Sequence, residues 1–68
     1  MKIKVNGEER VFENELSLKK LIQAELKTDE PKGVAAAVNA MIIPKQKWED
    51  TIIKELDEIE IVHAVQGG

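Results

Sequence analysis

The chain has 68 residues, 43% hydrophobic and 34% charged, a balance that suits one small folded domain and excludes a disordered segment. Lys and Arg number 10 against 13 Asp and Glu, a net charge of -3, and Phe12 and Trp48 are the aromatics, so a nucleic-acid binder's basic footprint and stacking platform are missing. There is no cysteine, which excludes a disulfide framework, a thiolate nucleophile and any Cys-based metal site.

Met1, Ile3 and Val5 alternate with Lys2 and Lys4, the period of a half-buried strand. Asn6-Gly7 follows, the strongest short hairpin signal, because a type I′ turn needs positive φ at both central residues. A second, antiparallel strand is expected over Glu8 to Phe12. Ser17 is placed to cap a helix, with Leu18, Leu21, Ile22 and Leu26 on one face and Lys19, Lys20, Gln23 and Lys27 largely opposite. Thr28 to Gly33 reads as a loop.

Val34 to Val38 is a short apolar run, VAAAV, whose length favours a buried strand over a helix. Met41 to Ile43 makes a brief further strand ended by Pro44, which has no N–H to donate and so belongs at an edge or a strand end. Residues 45 to 56 are expected to be irregular or a short helical turn, with Trp48 and Ile52, four apart, covering one end of the core. In the last strand Glu58, Glu60, Val62 and Ala64 share one face, while Ile59, Ile61, His63 and Val65 share the other. The phase of Ile59 and Ile61 should meet the helix. The whole pattern fits an α+β domain of the β-grasp type, residues 1–68, with a mixed sheet of four to five strands and one helix across one face.

MKIKVN lacks the apolar stretch of a signal peptide, and no run reaches the roughly 18 residues of a membrane span, so a cytoplasmic location with no membrane partner is expected. Residues for catalysis are few. Ser17 is explained as a cap, Thr28 and Thr51 lack an evident base, and His63 is a lone imidazole where a metal site needs three or four ligands. The carboxylates Glu49, Asp50, Glu55, Asp57, Glu58 and Glu60 sit among polar neighbours and read as a solvated face that speeds encounter with a basic partner. No catalytic residue and no metal ligand is assigned.

The sequence closes on Gln66-Gly67-Gly68. Ordered glycine costs about 0.5–1 kcal/mol relative to alanine, so two of them after a strand oppose a structural role. Without Cβ atoms, Gly67 and Gly68 suit a flexible tail, residues 66–68, that threads a narrow channel and presents the Gly68 carboxylate to another protein. A carboxylate is ionised at neutral pH and is a poor acyl electrophile, so it must be activated before it accepts sulfur or an amine. Attack on the α-phosphate of ATP achieves this. Val62, Ala64 and flanking Glu60, with Val65 beside them, are the expected partner-binding residues near the tail.

VNG in the first strand, LSLKKLIQ in the helix, VAAAVNAMIIPKQKW, and the closing DEIEIVHAVQGG resemble the ThiS family along the whole chain. That resemblance implies a ubiquitin-like β-grasp fold and a sulfur carrier of thiamin biosynthesis that is not itself an enzyme. It binds no cofactor; its partner uses ATP. An adenylating enzyme activates Gly68, a sulfur donor such as a cysteine desulfurase supplies a persulfide, and the resulting thiocarboxylate feeds thiazole synthase. The free carrier is expected to be a monomer. Two departures stand out. Family members commonly carry glycine where this chain has Leu56 before Asp57, and many carry it where Ala40 follows Asn39, so both turns are expected to change geometry or hold strain. The small subunit of molybdopterin synthase and ubiquitin-like protein modifiers share the Gly-Gly ending, and a plain β-grasp interaction domain is the remaining alternative.

Overall fold

The computed structural model of the chain describes residues 1–63. Its elements in order are β1 (Lys2–Val5), β2 (Glu8–Val11), α1 (Leu18–Leu26), β3 (Val34–Val38), β4 (Met41–Ile42), a 3₁₀ turn over Lys45–Lys47, and β5 (Glu58–His63). The strands form one 5-stranded sheet in the order β2-β1-β5-β3-β4. Its β1–β5 pair is parallel, Lys4 opposite Glu58 and Val5 opposite Ile59, while the other pairs are antiparallel, so the sheet is mixed as expected. A parallel pair needs a long crossover. Everything from β2 to the 3₁₀ turn supplies it, and the last strand thereby becomes the central one.

Local chemistry explains most boundaries. Asn6 and Gly7 sit at φ 51° and 83°, the positive pair that a two-residue hairpin with matching twist requires. Pairing runs slightly past β2, since the Phe12 N–H donates to the Met1 C=O at 2.9 Å. The Ser17 hydroxyl accepts from the Lys20 N–H at 3.2 Å and caps α1. At the other end Lys27, at φ 54°, turns the chain out of the helix. Short β4 is one of the two edge strands and Pro44 follows it, where a missing N–H costs no sheet bond.

Leu18, Leu21 and Ile22 of α1 pack onto Ile3, Val5, Ala36, Ile59 and Ile61, all buried. Spacing of three and four on the helix thus meets spacing of two on the strands. Leu26 contributes at the margin. Each fully buried Leu, Ile or Val among them is worth roughly 1.5–3 kcal/mol. Ala36 lies on the helix side of β3, where its small side chain permits close approach, and Ala35 points to the open face.

One core assignment changes. Trp48 closes the end of the core, 3% exposed with its indole N–H on the Ile43 C=O at 2.9 Å, but its companion is Ile53, 1% exposed, and Ile52 is 41% exposed. Spacing of four applies to a helix, and the helical turn stops at Trp48. From Thr51 the chain is extended beside the start of α1: Ser17 and Ile52 form an isolated bridge, and the Ile53 N–H donates to the Leu16 C=O at 3.0 Å. Strand alternation then turns Ile53 inward and Ile52 outward.

Both turns that lack glycine keep the geometry glycine would favour. Asn39 and Ala40 stand at φ 50° and 70°, and Leu56 at 68°. The Leu56 N–H donates to the Lys2 C=O at 2.7 Å, and the Asp57 N–H reaches back to the Lys54 C=O at 3.1 Å. These contacts hold the backbone in a region that costs a side-chain-bearing residue about 1–2 kcal/mol. The expected departure therefore takes the form of strain in an unchanged turn.

Candidate carrier surface at the end of the central strand

With α1 covering one face of the sheet, the other is open, and β5 carries Glu58, Glu60 and Val62 onto it. Val62 is 61% exposed. Register supplies its neighbours: Ala35 lies opposite Val62, Ala37 opposite Glu60, and Ile42 opposite Ala37. Ile42 is 75% exposed, so two branched apolar side chains stand at either side of an alanine floor. Toward β1 and β2 the same face becomes charged. Lys4 lies across from Glu58 and from Glu9, and the Lys2 ammonium is 3.9 Å from the Glu9 carboxylate. Glu60 marks the border between the two halves.

Of the expected partner-binding residues, Glu60 and Val62 are therefore brought together on the open face. Ala64, Val65, Gln66, Gly67 and Gly68 lie outside the described residues. Ile42, Ala35 and Ala37 belong to the same surface and were not among the residues singled out from sequence. Alternation along β3 turns Ala35 and Ala37 to the face opposite Ala36, and strand register shows that Val62 and Ile42 flank them.

β5 is held from both sides near its two ends by asparagine side chains. At its start the Asn39 Oδ1 accepts from the Glu58 N–H at 3.0 Å while its Nδ2 donates to the Asp57 carboxylate at 3.0 Å. That carboxylate also accepts from the Lys54 N–H at 2.8 Å, which ties the Leu56 turn into the same cluster. Further along, the Asn6 Oδ1 accepts from the Ile61 N–H at 2.8 Å and its Nδ2 donates to the Ile61 C=O at 3.2 Å. Neutral amides at both points fix a strand without adding charge.

The hydroxyls are committed to backbone. Ser17 caps α1, Thr28 accepts from the Glu30 N–H at 3.2 Å, and Thr51 donates to the Lys47 C=O at 2.7 Å. His63 is exposed and borders a groove on the helix side with Asn6, Glu8, Arg10, Glu25 and Ile61. There the Arg10 Nε lies 3.2 Å from the Glu25 carboxylate and its Nη2 3.1 Å from Glu8. Hydrogen bonding to Glu25, then to Glu8, raises the guanidinium pKa above its ordinary value. Among the described residues no group of three or more His, Cys, Asp or Glu is arranged to hold a metal ion, and no helix is long and apolar enough to cross a membrane.

Comparison with known proteins agrees with this arrangement. The crystal structure of a thiamine biosynthesis protein, ThiS, from Geobacter metallireducens superimposes with a TM-score of 0.81 over 100% of both chains at 23% identity. A solution structure of a thiamine biosynthesis protein from the same organism gives 0.76 over 100% of this chain and 88% of that one, also at 23% identity. At that identity the likeness shows the fold, the ubiquitin-like β-grasp. A protein from Paramagnetospirillum magneticum named thiazole synthase is 37% identical over all 68 residues, which span 20% of that relative's length. The ThiS family model matches residues 3–68, and the chain belongs to this family.

Proposed function

We propose that the chain carries sulfur as a thiocarboxylate on Gly68 and that the catalytic groups lie in its partners. The Gly68 carboxylate attacks the α-phosphate of ATP on an adenylating enzyme, pyrophosphate leaves, and an acyl-adenylate forms. A persulfide on the sulfur donor attacks the acyl carbon and AMP leaves. A thiol then cleaves the S–S bond, taking the donor's sulfur into a disulfide and leaving the thiocarboxylate on Gly68. The charged carrier delivers that sulfur to a thiazole synthase. Gln66 and Gly67 form the arm that carries Gly68 into each active site.

The observation that carries this reading, beside family membership, is the apolar floor at the end of β5. Val62, Ala35, Ala37 and Ile42 lie on or beside the strand that leads into residues 64–68, so docking there seats the tail's origin against the partner. A patch this small suits a weak, brief contact, which a carrier visiting several enzymes needs. Glu60 at its border favours a partner with a basic residue there. Likeness to a part of a protein named thiazole synthase supports a thiazole synthase over molybdopterin synthase as the consumer.

The decisive measurement is intact mass after incubation with ATP, the adenylating enzyme and a sulfur donor. One oxygen replaced by one sulfur at Gly68 is expected, and deletion of Gly68 should abolish ATP–pyrophosphate exchange. Exchange that survives the deletion overturns the carrier reading, and sulfur transfer to molybdopterin synthase alone moves the protein to the other pathway.

A further inference from the structure

β1 stops at Val5 because the chain turns at Asn6-Gly7, and on that side β5 outruns it. The last main-chain contact there is the Asn6 N–H donating to the Ile59 C=O at 2.9 Å. Alternate residues of a strand aim their N–H and C=O at the same edge, so the next pair on this edge belongs to Ile61. The Asn6 side chain takes both, at 2.8 Å and 3.2 Å. A primary amide copies a peptide group, with one acceptor and a donor on neighbouring atoms, so it adds a rung where the strand has none. Asparagine is also among the few residues that tolerate φ 51°, the conformation from which its amide reaches back. Turn-forming and strand-clamping requirements thus fall on one residue.

We propose that Asn6 is a positioning residue for the reacting carboxyl. Its amide fixes Ile61 in register on the β1 side, one residue before Val62 of the docking floor, while β3 holds the other side as far as the Val34–His63 pair. That fixed point sets where residues 64–68 set out from, and hence how often Gly68 lies in line with the α-phosphate once the carrier has docked. The inference rests on the sulfur-carrier reading. Loss of the rung leaves the apolar floor in place, so binding is kept and the productive fraction of bound complexes falls.

Asn6→Gly tests this, since glycine accepts positive φ and removes only the amide; Asn6→Asp keeps the acceptor and loses the donor. Amide hydrogen exchange in the free carrier should show Ile61 faster by about tenfold in Asn6→Gly relative to Leu21 of the core, with a smaller increase in Asn6→Asp. In ATP–pyrophosphate exchange, kcat should fall about three- to tenfold while KM for the carrier stays within about twofold. Ile3→Val, which loosens the core beneath β1, should lower the melting temperature and leave kcat unchanged. Asn6→Asp carries the same test should Asn6→Gly fail to fold. Ile61 exchanging in step with Leu21, or a loosened Ile61 with wild-type kcat, overturns the proposal. A wild-type chain that supports no exchange reaction at all overturns the carrier reading instead, and the Ile61 measurement still decides whether the clamp exists.

Discussion

Both two-residue hairpin turns of the sheet place an asparagine first, Asn6 at φ 51° and Asn39 at 50°, and a left-handed residue second, Gly7 at 83° and Ala40 at 70°. Both asparagines turn their amides on β5, but at opposite ends and from opposite sides. Asn39 grips the start of the strand through the Glu58 N–H and enlists Asp57, whereas Asn6 grips Ile61 near the exit. The second positions have no such task. What differs there is whether the backbone conformation comes freely, as with Gly7, or against a Cβ, as with Ala40. The comparison separates two properties that hairpin turns usually confound, the side-chain bond and the backbone strain.

The strongest way to break the symmetry is at Asn39. Asn39→Ala removes the acceptor for Glu58, the donor to Asp57, and the residue's tolerance of positive φ, and should cost about 2–3 kcal/mol. Asn39→Gly keeps the backbone conformation and removes the bonds alone, so its cost should be about 1–2 kcal/mol. Denaturant titration gives both values. Equal losses for the two variants would mean that positive φ carries no penalty at this position and that the amide bonds alone hold the turn.

The second positions sharpen the comparison by exchange. A Cβ on Gly7 meets nothing within 4 Å, so Gly7→Ala isolates the conformational term at φ 83° and should cost about 1 kcal/mol. Ala40→Gly should return about the same amount, a rise of roughly 4–8 °C in melting temperature for a domain of this size. Leu56→Gly should stabilise by slightly less. Its side chain is 70% exposed, so little packing is lost when the strain at φ 68° is relieved. A drop in melting temperature for either glycine variant would show that the turn is not strained.

These turns also mark the limit of what could be read from sequence. Asn6-Gly7, the Ser17 cap, the helix face of Leu18, Leu21 and Ile22, and the inward phase of Ile59 and Ile61 are local patterns, each set by residues within a few positions of one another, and each is found in the fold. Non-local facts were not legible. That β5 lies between β1 and β3 follows from burial of the whole sheet under one helix. The join of Val62, Ala35, Ala37 and Ile42 into one floor follows from that register. Nothing in the spelling of Asn6 or Asn39 announced a bond to a residue more than fifty or nearly twenty positions away. Ile52 was misplaced for a related reason: helical spacing was extended past Trp48, and only the bridge to Ser17 shows the chain to be extended there. The core was legible where one period held throughout an element, and the candidate site was legible only for the part that β5 itself contributes.

The smallest expected effect concerns the hairpin that Asn6 closes. Arg10 of β2 reaches Glu25 of α1 at 3.2 Å and Glu8 at 3.1 Å, which fastens the outer edge of that hairpin to the helix, but the pair is open to solvent and long side chains must be ordered to make it. Arg10→Met keeps much of the apolar stem and should shift the melting temperature less than Ala40→Gly does. The sign with pH follows from the raised guanidinium pKa: its contribution is complete below the unfolded value and is lost only as pH rises through the still higher folded value, both far above neutral pH. Between pH 6 and about 9 the difference between wild type and Arg10→Met should therefore stay flat, and it should shrink in about 1 M salt. A difference that exceeds the Asn39→Gly loss would mean that the edge of the hairpin, rather than its turn, secures β1 beside the central strand.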